Sequence, residues 1–139
     1  MGWKTRLALA RRGESLMPGE QGNLMPLTLP AAFVPTCAQL LGGMRTIIHR
    51  AEAHARAEGI EDTDLIGASL APDMWTLPWH VRACWVHSGY ALGLMPTGEF
   101  TPDFTAIPES WDTMRAMVDE ASATLTGVDE NDLERIAED

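Results

Sequence analysis

Leu70-Ala71-Pro72-Asp73-Met74-Trp75-Thr76-Leu77-Pro78-Trp79-His80-Val81 is a proline-punctuated loop that runs straight into an amphipathic helix. Proline fits a loop or the first turn of a helix but not its interior, so Pro72 and Pro78 bracket the transition. Beyond it, Leu77, Val81, Cys84, Trp85, Ser88, Ala91 and Leu92 recur at steps of three and four. That spacing predicts a helix from about Leu77 to Gly93 with one apolar face.

The same period appears on both sides of this helix. Upstream, Phe33, Cys37, Leu40, Leu41, Met44, Ile47, Ile48 and Ala51 predict a helix from about Pro30 to Glu58. Thr28 or Thr36 is the expected cap, with Pro30 and Pro35 confined to the first turn and Gly59 as the stop. Gly42 and Gly43 lie inside this helix, where each costs roughly 1 kcal/mol relative to alanine, and they mark a close contact or a kink. A short helical turn is expected at Asp62–Ile66. Downstream, Gly93, Pro96, Gly98 and Pro102 make residues 93–107 a loop. A third helix is expected from Pro108, with the stripe Trp111, Met114, Val118, Ala121 and Leu125, closing at Gly127. Asp129 then caps a last short helix through Ile136. Strand-like alternation is missing from the pattern, so the fold class is all-α, an up-and-down antiparallel helical bundle.

The chain has 139 residues, enough for one domain with one core. Residues 1–26 mix Gly13, Pro18, Gly19 and Gly22 without a period and read as a flexible or mis-assigned extension, with Met17 and Met25 as alternative starts. Residues 27–139 read as the helical-bundle domain. The formal charge is −10. It argues against nucleic acid and anionic membrane as partners, since both would repel it. No apolar run approaches the roughly 20 residues of a membrane span. Cys37 and Cys84 both fall on apolar stripes, as expected of free thiols in a reducing, cytoplasmic setting.

The chemistry-bearing residues gather on the second helix. His80, Cys84 and His87 stand at offsets of zero, four and seven, along one side of it. His80 and His87 are the candidate metal ligands. They lie two turns apart, roughly 10 Å at 1.5 Å per residue, so a straight helix does not make them a ready pair. His80 and Cys84 have the spacing of a helical chelate. His49 is expected on the surface and His54 near the end of the first helix. Asp73 is expected to bond free N–H groups of its loop. Trp75, Trp79, Trp85 and Trp111 read as core and loop packing.

The Leu70–Met74 motif, the helix start Leu77–Val81 and the segment Ala51-Glu52-Ala53-His54-Ala55 together resemble a bacterial domain-of-unknown-function family. That family lies within the DinB/YfiT-like superfamily of metalloenzymes. The likeness runs from about Leu27 to about Ile136 and implies a four-helix bundle. In that superfamily a His near the start of the second helix and two His on the last helix bind a divalent metal. His80 resembles the first of these. Such proteins continue into a helix rich in aromatics and His, so here the fourth helix is expected to be short or missing.

Two functions follow as expectations. One is an enzyme, a metal-dependent transferase or hydrolase with Zn, Ni or Fe acting on a small-molecule substrate. The other is a non-catalytic helical module that forms a homodimer or binds a protein through an exposed apolar face. The tail Asp129–Asp139 offers only Leu133, Ile136 and Ala137 as apolar cover, so an open face is expected.

Overall fold

A computed structural model describes the backbone of residues 27–138 and the side chains of residues 27–135. The assignment of residues 1–26 as an extension therefore lies outside the described residues. Among the described residues the regular structure is helical, with no strand. Helix α1 (Leu29–Glu58) is followed by the short α2 (Asp62–Ile66). Helix α3 (Leu77–Trp85) continues through a π-helical turn (Val86–Tyr90) into α4 (Ala91–Leu94). A crossing loop leads to α5 (Trp111–Thr126) and then α6 (Glu130–Glu138).

The helix ends follow local chemistry. Thr28 caps α1, its hydroxyl accepting from the Ala31 N–H at 3.2 Å. Gly59 ends it at φ 64°, a left-handed conformation that glycine adopts without strain. Pro35 is a correction: it sits inside α1 and not in its first turn. The start of α5 is another. Pro108 lies before the helix, and Ser110 caps it in a reciprocal box with Thr113. The Ser110 hydroxyl accepts from the Thr113 N–H at 3.2 Å. The more distant proline drew the boundary because a Ser–Thr box lacks the usual Glu or Gln.

The core forms where α1, α3 and α5 meet. All five residues of the α5 stripe, Trp111, Met114, Val118, Ala121 and Leu125, are buried. They face Leu41, Ile48 and Ala55, which recur every seven residues along α1, and Val81 and Leu92 of the α3–α4 arm. Helices α1 and α5 run antiparallel, because Arg45 pairs with Asp119 while Glu52, further along α1, pairs with the earlier Arg115. The stub α6 contributes more than its sequence promises. Leu133 is buried, and the Glu134 carboxylate accepts from the Leu29 N–H at 3.1 Å, closing the start of α1. Asp129 begins α6 by accepting from the Asn131 N–H at 2.8 Å.

Gly42 and Gly43 make no close contact: a Cβ at either would meet nothing within 4 Å. The close approach is at Gly89, where a Cβ would lie 2.7 Å from Ala121 Cα. The π turn, with its extra residue per turn, carries this glycine against α5. Helix α1 also corrects the membrane reading, because by length and composition it is apolar enough to span one. Interspersed polar residues such as Thr36 and Gln39 hide this from a search for unbroken apolar runs. Its Leu41, Ile48 and Ala55 are nonetheless buried against the other helices.

Gly89→Ala is expected to lower stability by roughly 1–3 kcal/mol through overpacking. Gly42→Ala is expected to raise it by about 1 kcal/mol, because its helix position is open. Urea unfolding of both variants checks the pair, and equal effects of one sign would refute the contact.

Candidate functional site

A groove of about 370 Å³ opens between α1 and the α3 arm. Its apolar floor is Leu40, Leu41, Met44 and Ala83, and its polar atoms come from Cys37, His80, Cys84, His87 and Ser88. The helical spacing of His80, Cys84 and His87 thus brings all three to one cavity, together with Cys37 from α1. His80 and His87 are themselves exposed at its rim. The π turn contains His87 and Ser88. The Ser88 hydroxyl donates to the Cys84 carbonyl at 2.5 Å, within the segment where the ladder changes register.

An aromatic wall continues from that rim. The loop after α4 folds back along α3, and its Phe100 and Phe104 rings lie 6.0 and 6.4 Å from His87. Phe104 stacks on Trp79 at 6.1 Å, Trp75 stands 5.4 Å from Trp79, and His80 lies 6.4 Å from Trp75. These spacings are those of weakly attractive ring pairs. Sequence reading placed all four tryptophans in the packing, and the structure divides them. Trp111 is core, Trp79 and Trp85 are half-buried, and Trp75 is 55% exposed.

Arg82 holds this wall and was missed by the stripe. Only 4% exposed, it donates from Nε to the Asp103 carbonyl at 2.7 Å and pairs with Asp103 Oδ2 at 2.8 Å. Its guanidinium also lies 4.2 Å over the Trp85 ring. A lone arginine beside an apolar stripe looks like a solvated edge, and only the returning loop gives it a partner. The Asp103 carboxyl lies below the usual carboxylate range, first through hydrogen bonds from Thr105, with Arg82 adding to the effect. Asp62 is likewise lowered, mainly by the hydrogen bond from Arg56. Asp73 is exposed, and its turn is closed instead by the Met74 N–H and the Ala71 carbonyl at 3.0 Å.

The thiols of Cys37 and Cys84 are free, and burial pushes both above the ordinary thiol range. Cys84 pushes Cys37 further in the same direction. At neutral pH the groove therefore holds protonated, apolar thiols and not thiolate nucleophiles. His49 and His54 are exposed on α1, away from the groove. Among the described residues, no three of His, Cys, Asp and Glu come together in a way that would hold a metal ion.

The model of a domain of unknown function, DUF1993, matches residues 29–139. The chain belongs to that family. Its match starts with the first residue of α1 and takes in every helix just described. No curated protein and no solved structure matches the chain.

Alkylation of both cysteines by iodoacetamide is expected to be slow at pH 7.5 and to accelerate only above the ordinary thiol range. A fast phase near neutral pH would show a thiolate the geometry does not provide. Folding stability has its own pH dependence. Asp62 and Asp103 are depressed in the folded chain, so their contribution is present above the unfolded carboxylate value and is lost as pH falls through the folded values. Acid titration followed by circular dichroism is expected to show this loss below about pH 4, and Asp62→Asn with Asp103→Asn to shrink it.

Proposed function

We propose that this DUF1993 member is a helical binding module that works through the open face of α1 and α3. The carrying observation is that Leu40 is 62% exposed and Ile47 51% exposed on the same column of α1. Leu40 also forms part of the groove. Helix α5 covers the other side of α1, and α6 covers only its start. Large apolar side chains left open along a helix mark a surface that is covered in use. The apolar floor and the aromatic rim suit an apolar side chain better than a charged substrate. The free thiols support a reducing, cytoplasmic setting for it.

A second reading keeps the groove but makes it a metal site of an enzyme acting on a small molecule. It is favoured by the convergence of His80, His87 and Cys84 on one cavity. The residues fit this poorly. The two imidazoles are exposed and separated by seven residues, and among the described residues no three of His, Cys, Asp and Glu are grouped to hold an ion, whereas structural or catalytic divalent sites need three or four ligands. Likeness to the DinB/YfiT-like proteins remains a proposal of the same rank.

Two measurements separate these readings. Leu40→Lys with Ile47→Lys is expected to keep the helix content and to remove whatever covers the face, seen as lost self-association or lost binding of an apolar dye. Identical behaviour of variant and parent in both assays would sink the module. Elemental analysis of untagged protein is expected to give no stoichiometric Zn, Ni or Fe. A full equivalent that disappears in His80→Ala would establish the metal reading instead.

A further inference from the structure

Helix α1 carries two apolar seams, and the core takes up the first and only part of the second. Val34, Leu41, Ile48 and Ala55, spaced by seven, turn toward the other helices. A second series, Phe33, Cys37, Leu40, Met44, Ile47 and Ala51, advances by four and three in strict alternation. That is the spacing at which a helix packs along another helix, side chains seated between side chains. Phe33, Cys37, Met44 and Ala51 pack against the core, with Cys37 and Met44 also lining the groove, while Leu40 and Ile47 stand out in solvent.

Resting on the module reading above, we propose that the occupant of this face is a second copy of the same chain, seated α1 against α1 about a twofold axis at Gly43. Three observations choose this partner. The sixteen residues from Leu29 to Met44 carry no charged side chain, on a chain whose formal charge is −10. Two such acidic molecules repel over most of their surface, whereas the seam from Phe33 to Ala51 holds no acidic residue and only two arginines, Arg50 and the Asp119-paired Arg45, so it is where they approach with least repulsion. A basic partner would be drawn elsewhere.

Gly43 lies between Leu40 and Ile47 on the helix surface, at the midpoint of the seam. A Cβ there would meet nothing within 4 Å, so no neighbour inside the chain accounts for a glycine in mid-helix. In a twofold, antiparallel pairing the midpoint is where each helix meets itself, and glycine lets the backbones close. Leu40 of one copy then lies opposite Ile47 of the other.

The size also suffices. The seam from Phe33 to Ala51 is about 27 Å long at 1.5 Å per residue, and α1 with α3 is about 20 Å wide. The projected strip of roughly 540 Å² is of the order needed for the roughly 800 Å² of accessible surface that each partner gives to a standard interface. A twofold contact of this kind is self-limiting and makes no fibre.

Sedimentation equilibrium of the full chain is expected to give twice the 15.2 kDa chain mass. Leu40→Lys with Ile47→Lys is expected to return it to the chain mass with unchanged helix content. Gly43→Cys supplies an independent readout, since mild oxidation should link it to its own mate across the axis while the parent stays unlinked under the same conditions. A monomeric parent whose face binds an apolar dye, or floats with phosphatidylcholine vesicles, overturns the dimer and leaves the module reading standing. A monomer that does neither overturns both. A dimer that survives the double lysine variant and gives no Gly43→Cys link places the interface elsewhere and overturns the proposal.

Discussion

The packing of α5 into the angle between α1 and the α3 arm is the constraint on which the rest depends. Met114, Val118 and Ala121 are completely buried or nearly so, and they bridge Leu41 and Ile48 on one side to Val81 on the other. At Gly89 the backbone itself touches Ala121, closer than any side chain would permit. The apolar stripe of a helix covers about one side, so a helix serving two neighbours spends its whole stripe on them. With α5 used in this way, the far side of α1 and α3 has no cover from within the described chain apart from the aromatic loop. The open groove is therefore a consequence of how the core is made.

The same geometry explains the loop. Once α3 has passed through its π turn, the chain must return to begin α5. It does so along the outer side of α3, where Phe100, Asp103 and Phe104 pack in turn on His87, Arg82 and Trp79. Arg82 would otherwise be an isolated buried cation, a costly arrangement without a partner. Its two bonds to Asp103 and its contact with Trp85 satisfy it. His80 and His87 are consequently set between an apolar groove and a wall of rings. There both imidazoles are exposed.

The helices were legible in the sequence to within a few residues, and the α5 stripe completely. Periodicity reports burial wherever one face is buried by one neighbour, and α5 meets that condition. The errors fall where a local signal has a distant cause. Arg82 and Val86 lie off the predicted stripe, because the loop buries the first and the π turn rotates the second inward. Pro35 fits inside α1 although proline removes a hydrogen bond there, and the close approach of Gly89 to Ala121 has no local signal in the sequence. Of the site, the sequence placed His80, Cys84 and His87 on one side of one helix. It had no means of showing that Cys37 joins them across the groove, or that burial would keep both thiols protonated.

The two seams of α1 show why sequence pattern overstated its core. Leu40, Leu41, Ile47 and Ile48 all belong to one apolar period, yet Leu41 and Ile48 are buried while Leu40 and Ile47 are half or more exposed. A stripe this wide exceeds what one antiparallel neighbour covers, since α5 meets α1 along a single line of contact. For a helix used only once, the surplus would be a needless liability to aggregation. The charge-free first half of α1 and its open Gly43 are the features on which the proposed pairing rests. One side builds the fold, and the other leaves Leu40 and Ile47 in solvent.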